Sequence, residues 1–240
     1  MIPYRLLNAG DTAIVVEFGE TIDRRLNALV LALDKRLSDE RWIFETVPTF
    51  RSLMIYYNPD AISDADIAAR IAGHISEIVI AESSSRTWRL PVCYDVDMAP
   101  DLNDVADRLN LSPGQIIERH SGPEYHVYML GFLPGLGYMG DLPLDLRVPR
   151  LQSPRIRIPA GSLGIAMAMS LIMPRETASG LNLIGRSPAA MWHGDAALLQ
   201  PGDKVIHQPI SLREFERLTA RGGPDGVRIE QVDEVTHFAA

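Results

Sequence analysis

Apolar residues recur at helical spacing at Ile22, Leu26, Leu29, Val30, Leu33 and Leu37. That spacing predicts an amphipathic helix with one face inward. Arg24, Arg25, Lys35 and Arg36 then face mainly water. Ile67, Ile71, Ile75 and Ile78 repeat the stripe. Ser63, with Asp66 at the third helical position, reads as the capping pair of that second helix. Strand-like runs lie at Pro3–Leu7, Thr12–Phe18, Trp42–Val47, Leu53–Tyr57 and Thr87–Tyr94, the last after the polar break Ser83-Ser84-Ser85.

That order, β-α-β-β-α-β with an extra leading strand, predicts an α+β unit over residues 1–85. Its expected form is a ferredoxin-like split βαβ sheet with two helices on one face. Beyond it the texture changes. Residues 1–90 hold 6 Gly plus Pro, whereas residues 91–209 hold 25. Two short helices are expected there. One is capped by Asp101 with Leu102, Val105 and Leu109 inward; the other is capped by Ser112, has Pro113 at its first position and runs to about His120. Strands are expected at Glu124–Phe132, Ser162–Met169, Leu181–Gly185, Ala197–Leu199 and Lys204–Gln208. Proline avoids central strand interiors, so this many prolines imply many corners and a closed barrel over residues 86–240. Ser211 and Glu214 form a further capping box for a helix to about Arg221. Gly222-Gly223-Pro224 ends it, and Val227–Val232 reads as a last strand.

Composition narrows the function. The chain has 240 residues, 46% hydrophobic and 22% charged, with net charge −8. This is a globular composition whose acidic balance argues against nucleic acid or an anionic membrane as partner. One stretch departs from that balance: from Leu146 to Arg175 there is no acid, but Arg147, Arg150, Arg155, Arg157 and Arg175 are present. Most read as solvated surface arginines, and one or two could line an anion subsite. The single cysteine, Cys93, lies in a strand-like run and reads as a buried structural thiol. There is no basic-then-apolar leader and no spanning apolar run, so a reducing, cytoplasmic location is expected.

Several motifs fail on context. Gly135-Leu136-Gly137-Tyr138-Met139-Gly140 fits G-x-G-x-x-G. The prolines Pro143 and Pro149 that follow deny it the helix that a dinucleotide site needs. No phosphate-binding loop of P-loop type occurs. Gly161-Ser162-Leu163-Gly164 lacks the first glycine of a nucleophile elbow, so Ser162 reads as a turn residue or hydrogen-bond donor. The six histidines, His74, His120, His126, His193, His207 and His237, show no metal-binding spacing. His120 sits at a predicted helix end, where the dipole favours a cation. The segments 131–140 and 159–166, dense in glycine and proline beside aromatics, read either as barrel corners or as rigid ligand loops.

Those segments carry a resemblance. Gly10-Asp11-Thr12-Ala13, Phe18-Gly19, His120 with Tyr125, Leu130-Gly131-Phe132-Leu133-Pro134-Gly135 with Tyr138, and Pro149-Arg150 and Pro154-Arg155 are among its matches. So are Pro159 to Ala166, Ile184-Gly185-Arg186-Ser187-Pro188, and Leu199, Pro201-Gly202-Asp203 and Pro209-Ile210. Together they resemble the family of KipI and the B subunit of 5-oxoprolinase, also called allophanate hydrolase subunit 1, related to the carboxyltransferase domain of urea carboxylase. The resemblance implies that the C-terminal barrel is cyclophilin-like. It implies an ATP-dependent hydrolase that cleaves 5-oxoproline to glutamate in a complex of three types of chain. The partners would be a C-type protein (KipA / allophanate hydrolase subunit 2) and an A-type protein. Two other functions occur in the family: inhibition of a histidine kinase by contact, as in KipI, and carboxyl transfer, for which biotin would have to be carried by a partner. The catalytic positions it implies are His120, Tyr125, Ser162 and Arg186. The substrate-binding positions are Phe132, Pro134, Gly135, Pro159, Gly161 and Met169; no metal is implied.

One segment departs from the pattern. Where the family reads G-x-Q-T-G-I-Y-P-x-x-S-P-G-G-W, this chain has Met169 for the glutamine, Met173 for the tyrosine and Leu181 for the tryptophan. The expected consequence is a polar recognition surface turned apolar, with an altered substrate preference.

Overall fold

The computed structural model describes residues 2–79, 86–222 and 231–232. The chain divides into two compact units, Met1–Ser84 and Ser85–Ala240. The polar break Ser83-Ser84-Ser85, Gly223-Pro224, residues 227–230 of the expected last strand and His237 lie outside the described residues.

The first unit follows its apolar pattern closely. Its elements are β1 (Arg5–Asn8), β2 (Ala13–Glu17), α1 (Arg24–Leu37), β3 (Ile43–Pro48), β4 (Ser52–Tyr57) and α2 (Asp64–Ser76). Asp23 caps α1, accepting from the Arg25 and Leu26 N–H groups, and Ser63 caps α2 through the Asp66 N–H. The strands form one antiparallel sheet, β1-β2-β4-β3. Leu29, Val30, Leu33 and Leu37 from α1 and Ile67, Ile71 and Ile75 from α2 bury against Val16, Leu53 and Ile55. The split βαβ expectation needed the strand at residues 87–94 beside β2. Instead the leading strand β1 fills that edge, and the later strand belongs to the second unit.

That strand is β5 (Thr87–Cys93). It is followed by α3 (Leu102–Leu109), α4 (Pro113–Ser121), β6 (Glu124–Leu130), β7 (Gly137–Gly140), β8 (Arg155–Ile158), β9 (Ser162–Ala166) and β10 (Met169–Ile172). Then come β11 (Thr177–Ser179), β12 (Asn182–Arg186), β13 (Trp192–His193), β14 (Ala196–Ala197), β15 (Lys204–Ile210), α5 (Leu212–Gly222) and β16 (Gln231–Val232). Seven strands run β12-β9-β10-β7-β6-β15-β5, and pairing of β12 with β5 closes them into a barrel; β16 adds to β5. The fold is therefore α+β with a closed barrel.

Two details differ from the pattern reading. The run Ser162–Met169 is not one strand but the start of a hairpin, turning at Met167, whose φ is +53°. Asp101 sits at the N-cap of α3 but makes no capping bond. Its carboxylate is taken by the Arg155 guanidinium and by the Leu183 N–H at 2.6 Å. That ties the helix start to β8 and β12, a tertiary demand that overrides the local cap.

Asp203 has a similar role. Only 4% exposed, it accepts from Arg86 (2.9 and 2.5 Å), the Trp88 indole N–H (2.9 Å) and the Gln200 N–H (2.8 Å). The closing Pro-Gly-Asp is thus a clasp between β5 and the turn entering β15. Asp203→Asn keeps the shape but removes the charge facing the guanidinium. It should cost about 2 kcal/mol, measured as a lower midpoint in urea unfolding.

Candidate functional site

The barrel interior holds a polar cluster inside an apolar shell. α4 ends there because Ser112 and Gln115 form a full capping box with Pro113 at the first turn, which fixes the helix's register and turns His120 inward. His120 is fully buried. Its Nδ1 bonds the Tyr94 hydroxyl at 2.8 Å and its Nε2 meets Ser170 Oγ at 3.0 Å. Ser170 Oγ also lies 3.5 Å from His207 Nε2. The two imidazoles stack with centroids 4.7 Å apart at 16°. The Tyr125 hydroxyl donates to the His120 carbonyl at 2.8 Å. His207 Nδ1 is buried with no hydrogen-bond partner among the described residues.

Burial sets the electrostatics. Desolvation, with the neighbouring His207 second, holds His120 well below the usual histidine value. Desolvation alone lowers His207 to about 3. Both rings are therefore neutral at pH 7. Burial pushes the Tyr94 and Tyr125 phenols up, and Cys93 likewise. Tyr94, His120, Ser170 and His207 form a continuous hydrogen-bond chain that supports two opposite proton orders. Each order leaves one polar atom of His207 unsatisfied.

A second group forms where β9 begins. Gly161, with φ +77°, donates to the Met173 carbonyl at 2.7 Å and accepts from the Ser187 N–H at 2.8 Å. Ser162 faces Arg186 in register across β9 and β12. Arg186 donates through Nε to the Ala160 carbonyl at 2.9 Å, and its guanidinium lies 5.8 Å from the Phe215 ring centre. Partial burial lowers the guanidinium's pKa.

The third group is a surface hollow of about 460 Å³ lined by residues including Leu130, Phe132, Leu133, Pro134, Gly135 and Trp192. Phe132 is 71% exposed and has φ +67°, an unusual backbone state for a bulky side chain. Gly135 is required where it stands: its φ is +82°, and a Cβ would lie 2.6 Å from the Met191 carbonyl oxygen. The glycine run 135–140 leads into strand β7 and not into a helix, so it offers no helix N-terminus to a pyrophosphate.

The expected positions thus fall in three places. His120 and Tyr125 lie in the sealed interior, where neither ring reaches solvent. Pro159, Gly161, Ser162 and Arg186 share the corner, and Phe132, Pro134 and Gly135 share the hollow. Met169 lies in β10, only 9% exposed; Met173 and Leu181 are 4% and 5% exposed. The apolar replacements are therefore buried and pack against their neighbours. Tyr94, Ser170 and His207 join the interior cluster without any motif that marks them. His207 has one signal: strand alternation puts it on the same inward phase as Val205.

The acid-free arginines divide as well. Arg155 pairs with Asp101 and Arg157 with Glu176, and Arg147 donates to the Leu142 carbonyl. Among the described residues no helix is long and apolar enough to cross a membrane, and no group of three or more His, Cys, Asp or Glu could hold a metal ion.

Comparison with known proteins adds a lineage. The family described as "Carboxyltransferase domain, subdomain C and D" matches residues 4–199. The 5-oxoprolinase B subunit of Bacillus subtilis (strain 168) is 34% identical over 233 residues, covering 89% of this chain and 96% of that protein. A crystal structure of TTHA0988 superposes with TM-score 0.74 at 30% identity, over 84% of this chain; this chain spans only 40% of that one. Kluyveromyces lactis urea carboxylase gives TM-score 0.78 at 19% identity, over 95% of this chain and 24% of that one, a likeness of fold.

Proposed function

The chain belongs to the family of the carboxyltransferase domain, subdomains C and D, and from that premise we propose that it is the B subunit of an ATP-dependent 5-oxoprolinase-type hydrolase. The observation that carries this reading is the near end-to-end match, at 34% identity, to the Bacillus 5-oxoprolinase chain. The finer fold assignment of the barrel as cyclophilin-like belongs to the same reading. So do cytoplasmic location and partnership with the A-type and C-type proteins of such a complex.

The chemistry asks for a ring amide to be made labile. Transfer of the γ-phosphoryl group of ATP to the amide oxygen creates a leaving group. Water then attacks the ring carbon, the C–N bond opens and phosphate departs, giving glutamate and ADP. Negative charge develops at the reacting oxygen, where fixed cations and N–H groups stabilise it. Of the three places described, the Gly161–Arg186 corner supplies a fixed, partly exposed cation able to hold an anionic group of the substrate away from the reacting amide. The His120 cluster, sealed and neutral, serves to hold the barrel's interior together.

The test is ATP hydrolysis by the chain mixed with its cognate A-type and C-type proteins. Hydrolysis should rise with 5-oxoproline and require all three proteins. Hydrolysis that stays at the background rate with 5-oxoproline at every mixing ratio overturns the reading.

A further inference from the structure

Arg186 is held on three sides and open on the fourth. Its Nε donates to the Ala160 carbonyl. Its Cγ lies against Gly161, 3.6 Å from where a Cβ would be. Phe215 lies beside its guanidinium. These contacts fix the plane of the guanidinium and use only Nε. Its two terminal nitrogens have no acceptor among the described residues, and no carboxylate there pairs with it.

Several other arginines of the barrel unit are paired with acids, although Arg147, like Arg186, has a carbonyl as its acceptor. Arg86, Arg108, Arg119, Arg155 and Arg157 each have an acidic partner within 4 Å. Arg186 is partly desolvated, and burial is what shifts it. An oriented, half-buried cation without a counter-charge is costly unless an anion completes it. Ser162, opposite in register and 4% exposed, also has no hydrogen-bond partner for its hydroxyl among the described residues.

We propose that Arg186 is a carboxylate anchor: its two terminal nitrogens take the substrate's carboxylate end-on, and Ser162 Oγ adds a hydrogen bond. The ligand class is a small carboxylate whose reacting amide lies a ring's width from the acid group. This deepens the 5-oxoprolinase reading and rests on it for the identity of the substrate. It gives Arg186 a positioning task, because the anchored carboxylate is not the group that reacts.

The experiment compares 5-oxoproline with 2-pyrrolidone, the same lactam without the carboxylate, on the complex of this chain with its A-type and C-type proteins. Arg186→Gln should raise KM for 5-oxoproline about 30-fold, as loss of a charge-assisted pair implies. It should leave the already weak 2-pyrrolidone reaction unchanged. Arg186→Lys keeps the charge without the fork and should fall between. An equal loss on both lactams overturns the proposal, since that is what damage to the corner would do. Circular dichroism and the urea midpoint of both variants identify any unfolding, with Arg186→Lys as the variant that stands if Arg186→Gln does not fold. Calorimetric binding of the two lactams to the same complex separates the two readings. If wild type binds 5-oxoproline over 2-pyrrolidone through Arg186 but turns neither over, the anchor stands and the oxoprolinase reading falls. If turnover is present and Arg186→Gln binds both lactams as wild type does, the anchor falls alone. Neither binding nor turnover overturns both.

Discussion

Gly161→Ala is expected to lower folding stability by about 4 kcal/mol, read as a fall in the urea midpoint. Two effects combine. The residue has φ +77°, where an L side chain costs about 1–2 kcal/mol. The added methyl would also lie 2.2 Å from the Ser187 carbonyl oxygen, inside any tolerable contact. Relief requires β9 and the Ser187 strand end to part. That breaks the pair of backbone bonds through which Gly161 holds Met173 and Ser187. Gly10 is the control. Its φ is +84°, yet nothing lies within 4 Å of its would-be Cβ, so Gly10→Ala should cost only about 1 kcal/mol. Equal losses in the two variants would show that the corner is not as tight as described.

That glycine also shows what a linear pattern can and cannot carry. The helices of the first unit are legible because a periodic stripe and its cap are local: Leu29, Leu33 and Leu37 recur within one element, and Ser63 sits beside what it caps. The barrel is legible as a density of corners. Its closure is not, because pairing of Arg186 with Cys93 joins positions far apart in sequence. Asp101 has the local setting of a cap, whereas its carboxylate answers Arg155 and Leu183 across the fold. Strand β1 takes the edge expected for residues 87–94 for the same reason: both runs have strand character, and only the competition between partners decides.

The candidate site is legible unevenly. Family-like motifs point to His120, Ser162 and Arg186. Only their surroundings separate a sealed histidine from an open arginine. Met169, Met173 and Leu181 stand out in sequence as lost polar groups, and their burial turns them into packing residues. Apolar side chains there avoid leaving polar groups unsatisfied. By contrast, Ser170 sits among apolar residues in sequence, and nothing local marks it as the bridge between two histidines.

Those two histidines set the second large effect, a loss of stability in mild acid. Each is neutral in the folded barrel because burial disfavours the cation, and each regains its ordinary value, near 6.5, on unfolding. Below that value the unfolded chain binds protons that the folded chain refuses, so stability falls as pH falls. For His207, lowered to about 3, the loss begins near pH 6.5 and continues to about pH 3. Its share between pH 8 and pH 5 is about 2 kcal/mol. His120, lowered by the same burial and by its neighbour, adds to the loss in the same direction. The carboxylates held low by arginines, Glu17 and Glu214, act in the same sense but only below about pH 4.5, so the window from 6.5 to 5 isolates the histidines. Urea unfolding at pH 8 and pH 5 should show the loss in wild type. His207→Phe, which keeps a ring against His120 but cannot titrate, should lose about 2 kcal/mol less over the same interval. A variant as acid-sensitive as wild type would mean that His207 accepts a proton without unfolding. The stacked imidazole would then not be the sealed, neutral group described.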